Sequence, residues 1–422
     1  MYDTLFDQLK THPRLIVAED YEIAQQVTEI KTQKFFNGSP IEEGSERLYW
    51  LSLRVLHRNR PGHAVLTSPQ PERIQFLVEQ ALACAEASDA VPWFKFPLWR
   101  QRPETFSPAK GTEIDSCFSL IEEGANLNLA ETIETWKTET TVFRRTEKNR
   151  IRYTQEGSRC HWNLVDSHSG IRLQEKFFPN GYEAVRLGKL RELIGLLGSA
   201  SEESVSLQGV IGFSPRAMSS VLPTIADWFS SASVQSEKSP FNDEALTKEN
   251  LGTGYSLFDD GRFEASWMSA PYDLEGSPTQ KTTLIKNGTV SGFTYDTYTG
   301  TRANRLSTGN RVRSVFEEEP ALGPNMLYIG PSEKKLADWW SENLDGVYIE
   351  GFISSQVSEQ VFSAQAYGWE VRSGIPKRAI VFPVRTRLPD LMKKTLGVAN
   401  DSVFFEGVGS PSIFFSEIPK VE

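Results

Sequence analysis

Histidine, cysteine and methionine are scarce in this 422-residue chain, with five His, three Cys and five Met. Three cysteines cannot build a disulfide framework, and their odd number suits a reducing compartment, so a cytoplasmic protein is expected. Metal-ligand sets are few for the same reason, and every histidine lies at or before His168. Long apolar runs are missing as well. Those present, such as Ala379–Val384, are strand-sized and far short of the roughly eighteen residues of a membrane span. No basic-then-apolar leader opens at Met1-Tyr2-Asp3-Thr4. Positive charge is not in excess: 45 Lys and Arg against 55 Asp and Glu leave a formal charge of −10. Such a balance argues against nucleic-acid binding, which needs clustered cations for phosphate contacts. The G-x-S-x-G of an α/β hydrolase and the G-x-x-x-x-G-K-[ST] phosphate cradle are both absent.

What is present fits a globular chain of more than one domain. Leu51, Leu53 and Val55 alternate along Leu48–Leu56, and Asn59-Arg60-Pro61-Gly62 turns the chain into a second strand, His63–Thr67. Helical spacing of Ile74, Leu77, Val78, Ala81, Leu82 and Ala85 predicts a helix over Pro71–Glu86. A second helix is expected at Val185–Leu197, and Leu127–Trp136 also reads as helical. Strands are expected over Thr140–Leu173, with turns at Glu156-Gly157 and Ser169-Gly170. The Ser-rich stretch at 199–204 marks a boundary, and beyond it short apolar runs between Gly, Ser and Thr predict a β-rich region. Two helices stand out there, Pro215–Phe229 and Pro331–Leu344, the second with Ser332 as its N-cap. The expected fold is α+β. A mixed α/β N-terminal domain (1–202) precedes a barrel-like or sandwich-like β-rich domain (203–422).

Candidate chemistry is sparse. Cys160, His161 and His168 form the one local cluster of metal-ligand types, but neighbours on a strand point to opposite faces. His57 and His63 flank a hairpin turn and are read as solvent-facing. Asp259, Asp260, Asp273 and Glu275 could serve as paired carboxylates in acid–base work; turn chemistry at Asp259-Asp260-Gly261 and at Glu275–Pro278 accounts for them better. Ser307, Thr308, Gly309 and Asn310 could turn backbone N–H groups toward a ligand, or form an ordinary loop.

An ordered series of motifs resembles the TldD/PmbA family, often labelled modulators of DNA gyrase. The series is Tyr272–Gln280, Leu284–Gly288, Ser307–Asn310, Pro324–Met326, Ile329–Pro331, Phe362–Glu370, Ala399–Asp401 and Gly409–Ser412. Leu53–Val55 through Gly62–Ala64 resembles the family's N-terminal hairpin. TldD-type members resemble zinc metallopeptidases, with H-E-x-x-x-H on the first helix of the C-terminal domain and a Cys in a late loop. Here the corresponding helix, Ser214–Trp228, has no His and no Glu, and Asn400–Ser412 has no Cys. The resemblance is therefore to the TldE/PmbA type, whose site is degenerate. It implies a chain without catalytic residues or metal of its own and without a cofactor, zinc being held by a partner subunit. The implied partner is a TldD-like zinc peptidase in a heterodimer, or a second copy in a homodimer, with unfolded peptides as substrates. A gyrase-directed regulatory binder and a stand-alone homodimer are the alternatives. Candidate contacts to peptide or partner are Ser307–Asn310 and the Phe352–Gln356 edge, with Phe352 and Ile353 foremost.

Overall fold

A computed structural model describes residues 2–67, 70–96, 127–177, 183–200, 209–263, 269–313, 320–343 and 345–421. After α1 (Tyr2–Lys10) come β1 (Asp20–Phe36), β2 (Ser39–His57), β3 (Arg60–Thr67), α2 (Ile74–Ala87), β4 (Leu127–Arg144), β5 (Asn149–Asp166), β6 (Arg172–Phe177) and α3 (Glu183–Ser199). The six strands make one antiparallel sheet in the order β3-β2-β1-β4-β5-β6. Leu51, Leu53 and Val55 share a face, as their alternation predicts, and pack with Leu77, Val78 and Ala81 of α2. The packing is close: a Cβ on Gly62 of β3 would stand 2.1 Å from the Ala81 carbonyl oxygen. At the far end of the sheet, Leu187, Leu190 and Ile194 of α3 join Trp162 and Phe177.

The second half continues with β7 (Val210–Phe213), α4 (Pro215–Trp228), α5 (Ser231–Gln235), β8 (Leu257–Asp260), β9 (Lys281–Lys286), β10 (Thr289–Val290), α6 (Thr297–Arg302), β11 (Arg311–Val312), β12 (Ala321–Leu322) and β13 (Leu327–Ile329). Then follow α7 (Leu336–Glu342), β14 (Gly346–Ser358), β15 (Val361–Arg372), β16 (Ile375–Arg387), α8 (Leu388–Lys393), β17 (Thr395–Val398), β18 (Val403–Phe404), β19 (Val408–Ser410) and β20 (Ile413–Phe415). Two six-stranded sheets result, β16-β15-β14-β7-β20-β17 and β10-β9-β8-β13-β19-β18. Residues of both sheets and of α4, among them Met218, Val221, Leu222 and Ile225, form the largest apolar core. The fold is thus α+β with a β-rich second half. Residues 201–208, where the expected boundary falls, lie outside the described residues.

Four local expectations need correction. Leu127–Trp136 is not a helix but the start of β4, because β1 and β5 pair with it on both sides and override the helix propensity of Leu, Ala and Glu. Glu156-Gly157 is not a turn: both residues sit inside β5, opposite Lys137 and Trp136. The chain reverses instead between β4 and β5, where Lys148 takes φ +52°. Ser332 caps no helix. Its hydroxyl donates to the Val398 carbonyl and accepts from the Lys334 amide, and α7 begins only after Lys335. Asp259 and Asp260 lie on β8, both buried, rather than in a turn.

The first sheet is clasped to the second half through buried charge. Glu22 of β1 accepts from Arg144 of β4, with Nη2 at 2.5 Å, and from Arg54 of β2 at 3.2 Å. Arg54 also donates to Glu275 at 2.6 Å, and Arg144 donates to the Glu275 backbone carbonyl at 2.9 Å. The other Glu275 oxygen accepts from the Thr297 amide at 2.7 Å. Burial opposes ionisation of Glu275, but Arg54 and Arg311 outweigh it and hold the carboxyl below its ordinary range. Asp273 accepts from the amides of Glu275, Ser277 and Arg311. The turn carrying Asp273 and Glu275 also inserts Leu274 between Ala24, Trp50 and Val142 of the first sheet.

Taking one partner from a buried ion pair costs on the order of 3–5 kcal/mol, because the other charge stays buried. Arg54→Met should therefore lower stability by about 3 kcal/mol, read from the urea midpoint. Arg54→Met combined with Glu275→Gln should cost less than the sum of the two single changes. His63 does not face solvent as expected: half-buried opposite Arg54 in the β2–β3 ladder, it is held at about 4 by burial and by the charges of Arg54 and Arg311. Below about pH 6.5 the unfolded chain binds a proton that the folded chain refuses, so this term erodes stability as pH falls toward 4. A His63→Gln variant should lose less stability than wild type between pH 6.5 and 4.5 in denaturation at stepped pH.

Candidate functional site

A cleft of about 840 Å³ opens between the edge of the first sheet and the helix that follows β7. Strand β6 forms one wall. It pairs only with β5, so its other edge has no strand partner among the described residues. Arg172, Gln174 and Lys176 point outward, whereas Leu173, Glu175 and Phe177 are buried. Glu175 is thus a carboxylate on an apolar face, and two arginines hold it. Arg186 of α3 donates to one oxygen at 2.7 Å, and Arg216 of α4 pairs with the other. Arg216 also reaches the Gln174 carbonyl on that edge, at 3.4 Å.

Helix α4 supplies the floor. Ser214 caps it, accepting from the Ala217 amide while its hydroxyl donates to the Glu350 carbonyl. Pro215 follows at the first helical position, where a missing N–H costs nothing. The helix runs on through Pro223. Its core stripe is Met218, Val221, Leu222 and Ile225, so Arg216, Ser219, Ser220 and Pro223 are left to line the cleft. The late loop adds Phe405, Glu406 and Val408, with Glu406 accepting from Arg159 at 2.8 Å.

The remaining wall is β14. Strand β7 pairs with it only over Gly346–Ile349, and beyond that point β14 continues to Ser358 with β15 as its sole partner among the described residues. Irregular pairing at Glu350 and Ile353 bends the strand there. Phe352 packs edge-to-face on Phe213 and Phe362, while Ile353 is 58% exposed and faces the cleft.

The structure therefore brings Phe352 and Ile353 into the cleft and places Ser307–Asn310 elsewhere, in a closed hydrogen-bond knot. Thr308 donates to the Asn310 side-chain oxygen at 2.6 Å, and Asn310 donates to Asp259 at 2.5 Å. Gly309 has φ +76°, and a Cβ there would meet the Pro278 carbonyl oxygen at 2.5 Å. Burial pushes Asp259 up to about 6 even though Asn310 and the amides of Asn325 and Met326 all donate to it. Cys160 and His161 are ladder neighbours opposite Ile133 and Thr132, and His168 sits in the turn beyond β5. Among the described residues no three His, Cys, Asp or Glu side chains group as metal ligands, and no helix is long and apolar enough to cross a membrane.

Sequence reasoning missed β6, Glu175 and Arg216. The legible signal was Leu173-x-Glu175-x-Phe177, a charge on the buried side of an alternating strand.

Known proteins share this architecture. The PmbA/TldA metallopeptidase C-terminal domain matches residues 209–419. An uncharacterized protein of Methanocaldococcus jannaschii is 31% identical over 39% of this chain and 38% of its own length. A metalloprotease TldD homolog of Buchnera aphidicola is 27% identical over 36% of this chain and 33% of its own. The chain thus aligns with well under half the length of these relatives. Among solved structures, TldE from Thermococcus kodakarensis superimposes with a TM-score of 0.77 at 18% identity, covering 98% of this chain and 99% of that one. A candidate modulator of a DNA gyrase from Thermotoga maritima gives 0.82 at 16%, covering 99% of each chain. At those identities the structures show the fold alone; the domain match, over half of the chain, places it in the PmbA/TldD family.

Proposed function

We propose that this chain is the zinc-free member of a TldD/TldE-like peptidase pair, and that its cleft holds an unfolded peptide for a catalytic partner. The carrying observation is the face that α4 turns into the cleft: Arg216, Ser219, Ser220 and Pro223. The metal that the family name implies does not fit there. Zinc in proteins takes Cys, His or carboxylate donors, and the cleft's carboxylates, Glu175 and Glu406, are both bound by arginines. The late loop offers Phe405, Glu406 and Val408 and no thiol.

The two strand edges support the peptide part of the reading. A strand edge recognises backbone, so it accepts extended chains of any sequence but not folded ones. The edge of β14 beyond Gly351 carries Ser354, Ser355 and Gln356 and no charge before Glu359. Occupation of the β6 edge would displace Arg216 from the Gln174 carbonyl, which makes the β14 edge the less obstructed of the two.

Tagged protein purified from its source cell should bring down an H-E-x-x-x-H homologue in equal amount, with zinc tracking that homologue and not this chain. Recovery of gyrase or of homodimer alone would reject the pairing. Within the pair, Ile353→Asp should slow cleavage of an unfolded peptide about fivefold or more. Because the side chain is exposed, stability should change by no more than about 0.5 kcal/mol.

A further inference from the structure

On the other side of the Glu175–Arg216 pair lies a second cavity, of about 570 Å³. Its walls are largely aromatic and aliphatic: Trp340 of α7, Tyr348 of β14, Trp369 of β15 and Phe405. Trp340 stands edge-to-face on Tyr348 with ring centroids 5.9 Å apart. Such a box would suit an apolar ligand of any kind were it not for Glu350. That residue is 4% exposed and lines the cavity. Lys189 of α3 donates to its Oε1 at 2.8 Å, whereas Oε2 has no hydrogen-bond partner among the described residues.

Oε2 is not a sealed-off atom: it keeps the little accessible surface this side chain has, on the cavity side, where a ligand's donor can reach it. Arg216, which also lines the cavity, compensates Glu350 through space, while the hydrogen-bonded compensation is loose. Lys189 reaches in from a helix surface with its side chain 47% exposed, and its ammonium is shared with Glu192 at 3.6 Å. The cavity therefore already contains a cation site, filled from outside by a tethered ammonium, next to aromatic faces on which cations are further stabilised.

We propose that this cavity binds a primary ammonium carried on an apolar body, which displaces Lys189 and donates to both oxygens of Glu350 while the body lies against Trp340, Trp369 and Tyr348. This assignment does not depend on the chain's pairing with a peptidase. The ligand could be a free arylalkylamine or a lysine side chain of a peptide, and the chemistry is the same.

Calorimetric titration of the full chain with phenethylammonium should show saturable binding, and phenethyl alcohol, its neutral counterpart, should not bind. Equal binding of the alcohol would reduce the cavity to an apolar hole and overturn the proposal, as would failure of every ammonium probe. Lys189→Met should tighten phenethylammonium binding severalfold by removing the competitor; weakened binding in that variant would also overturn it. Glu350→Gln should weaken binding at least about tenfold, and Trp369→Leu provides a second check that leaves the buried charge in place. A blocked Ala-Lys-Ala tripeptide and its norleucine analogue separate the sources: tighter binding of the lysine peptide than of phenethylammonium assigns the site to peptide side chains, and the reverse assigns it to free amines.

Discussion

The structure depends on one buried arrangement of charge: two arginines of the first sheet, Arg54 and Arg144, held between Glu22 of the same sheet and Glu275 of the second half. Neither arginine has enough local partners to be buried comfortably. Glu22 alone gives each guanidinium part of its compensation, and Glu275 supplies the rest through its carboxylate and its backbone carbonyl. The turn that brings Glu275 also carries Leu274 into an apolar notch on the sheet, so charge and packing fix the same contact. Buried ion pairs add little net stability compared with apolar substitutes, but they penalise every misaligned docking heavily. Orientation between the halves is what the arrangement supplies, and the cleft between β6 and α4 inherits its width from that orientation.

Ser214 and Pro215 start α4, and its inner stripe fills the core. On its outer face Arg216 neutralises a carboxylate on an edge strand. Together Glu175, Arg186 and Arg216 close one end of a strand edge that would otherwise be open to any extended chain.

Much of this was legible in the sequence where one local rule dominated. The β2–β3 hairpin, α2, α3 and α4 followed directly from alternation, turn residues and helical spacing. The reading of Leu127–Trp136 failed because its composition favours a helix while its two neighbouring strands lie far away in sequence, and no local signal announces them. Glu156-Gly157 failed for the opposite reason: a good turn dipeptide is harmless inside a long ladder in which β4 holds it extended. In the cleft, Phe352 and Ile353 were legible only as candidate contacts beside the family resemblance. Glu275 looked like a turn residue and is one; that its side chain closes an ion network could be known only once Arg54, 221 residues away, was placed beside it.

That separation has a consequence for how the molecule comes into being. On a ribosome adding about 5–20 residues per second, Arg54 and Arg144 emerge well before the turn that neutralises them. In that interval the first sheet can assemble its α2-facing core, with Glu22 as an acidic partner shared by two arginines. The nascent half therefore carries a cationic, water-filled seam until Glu275 arrives and dries it. Closure of the seam is a late, long-range step, and nascent chains caught before it present a cationic surface on an otherwise acidic protein.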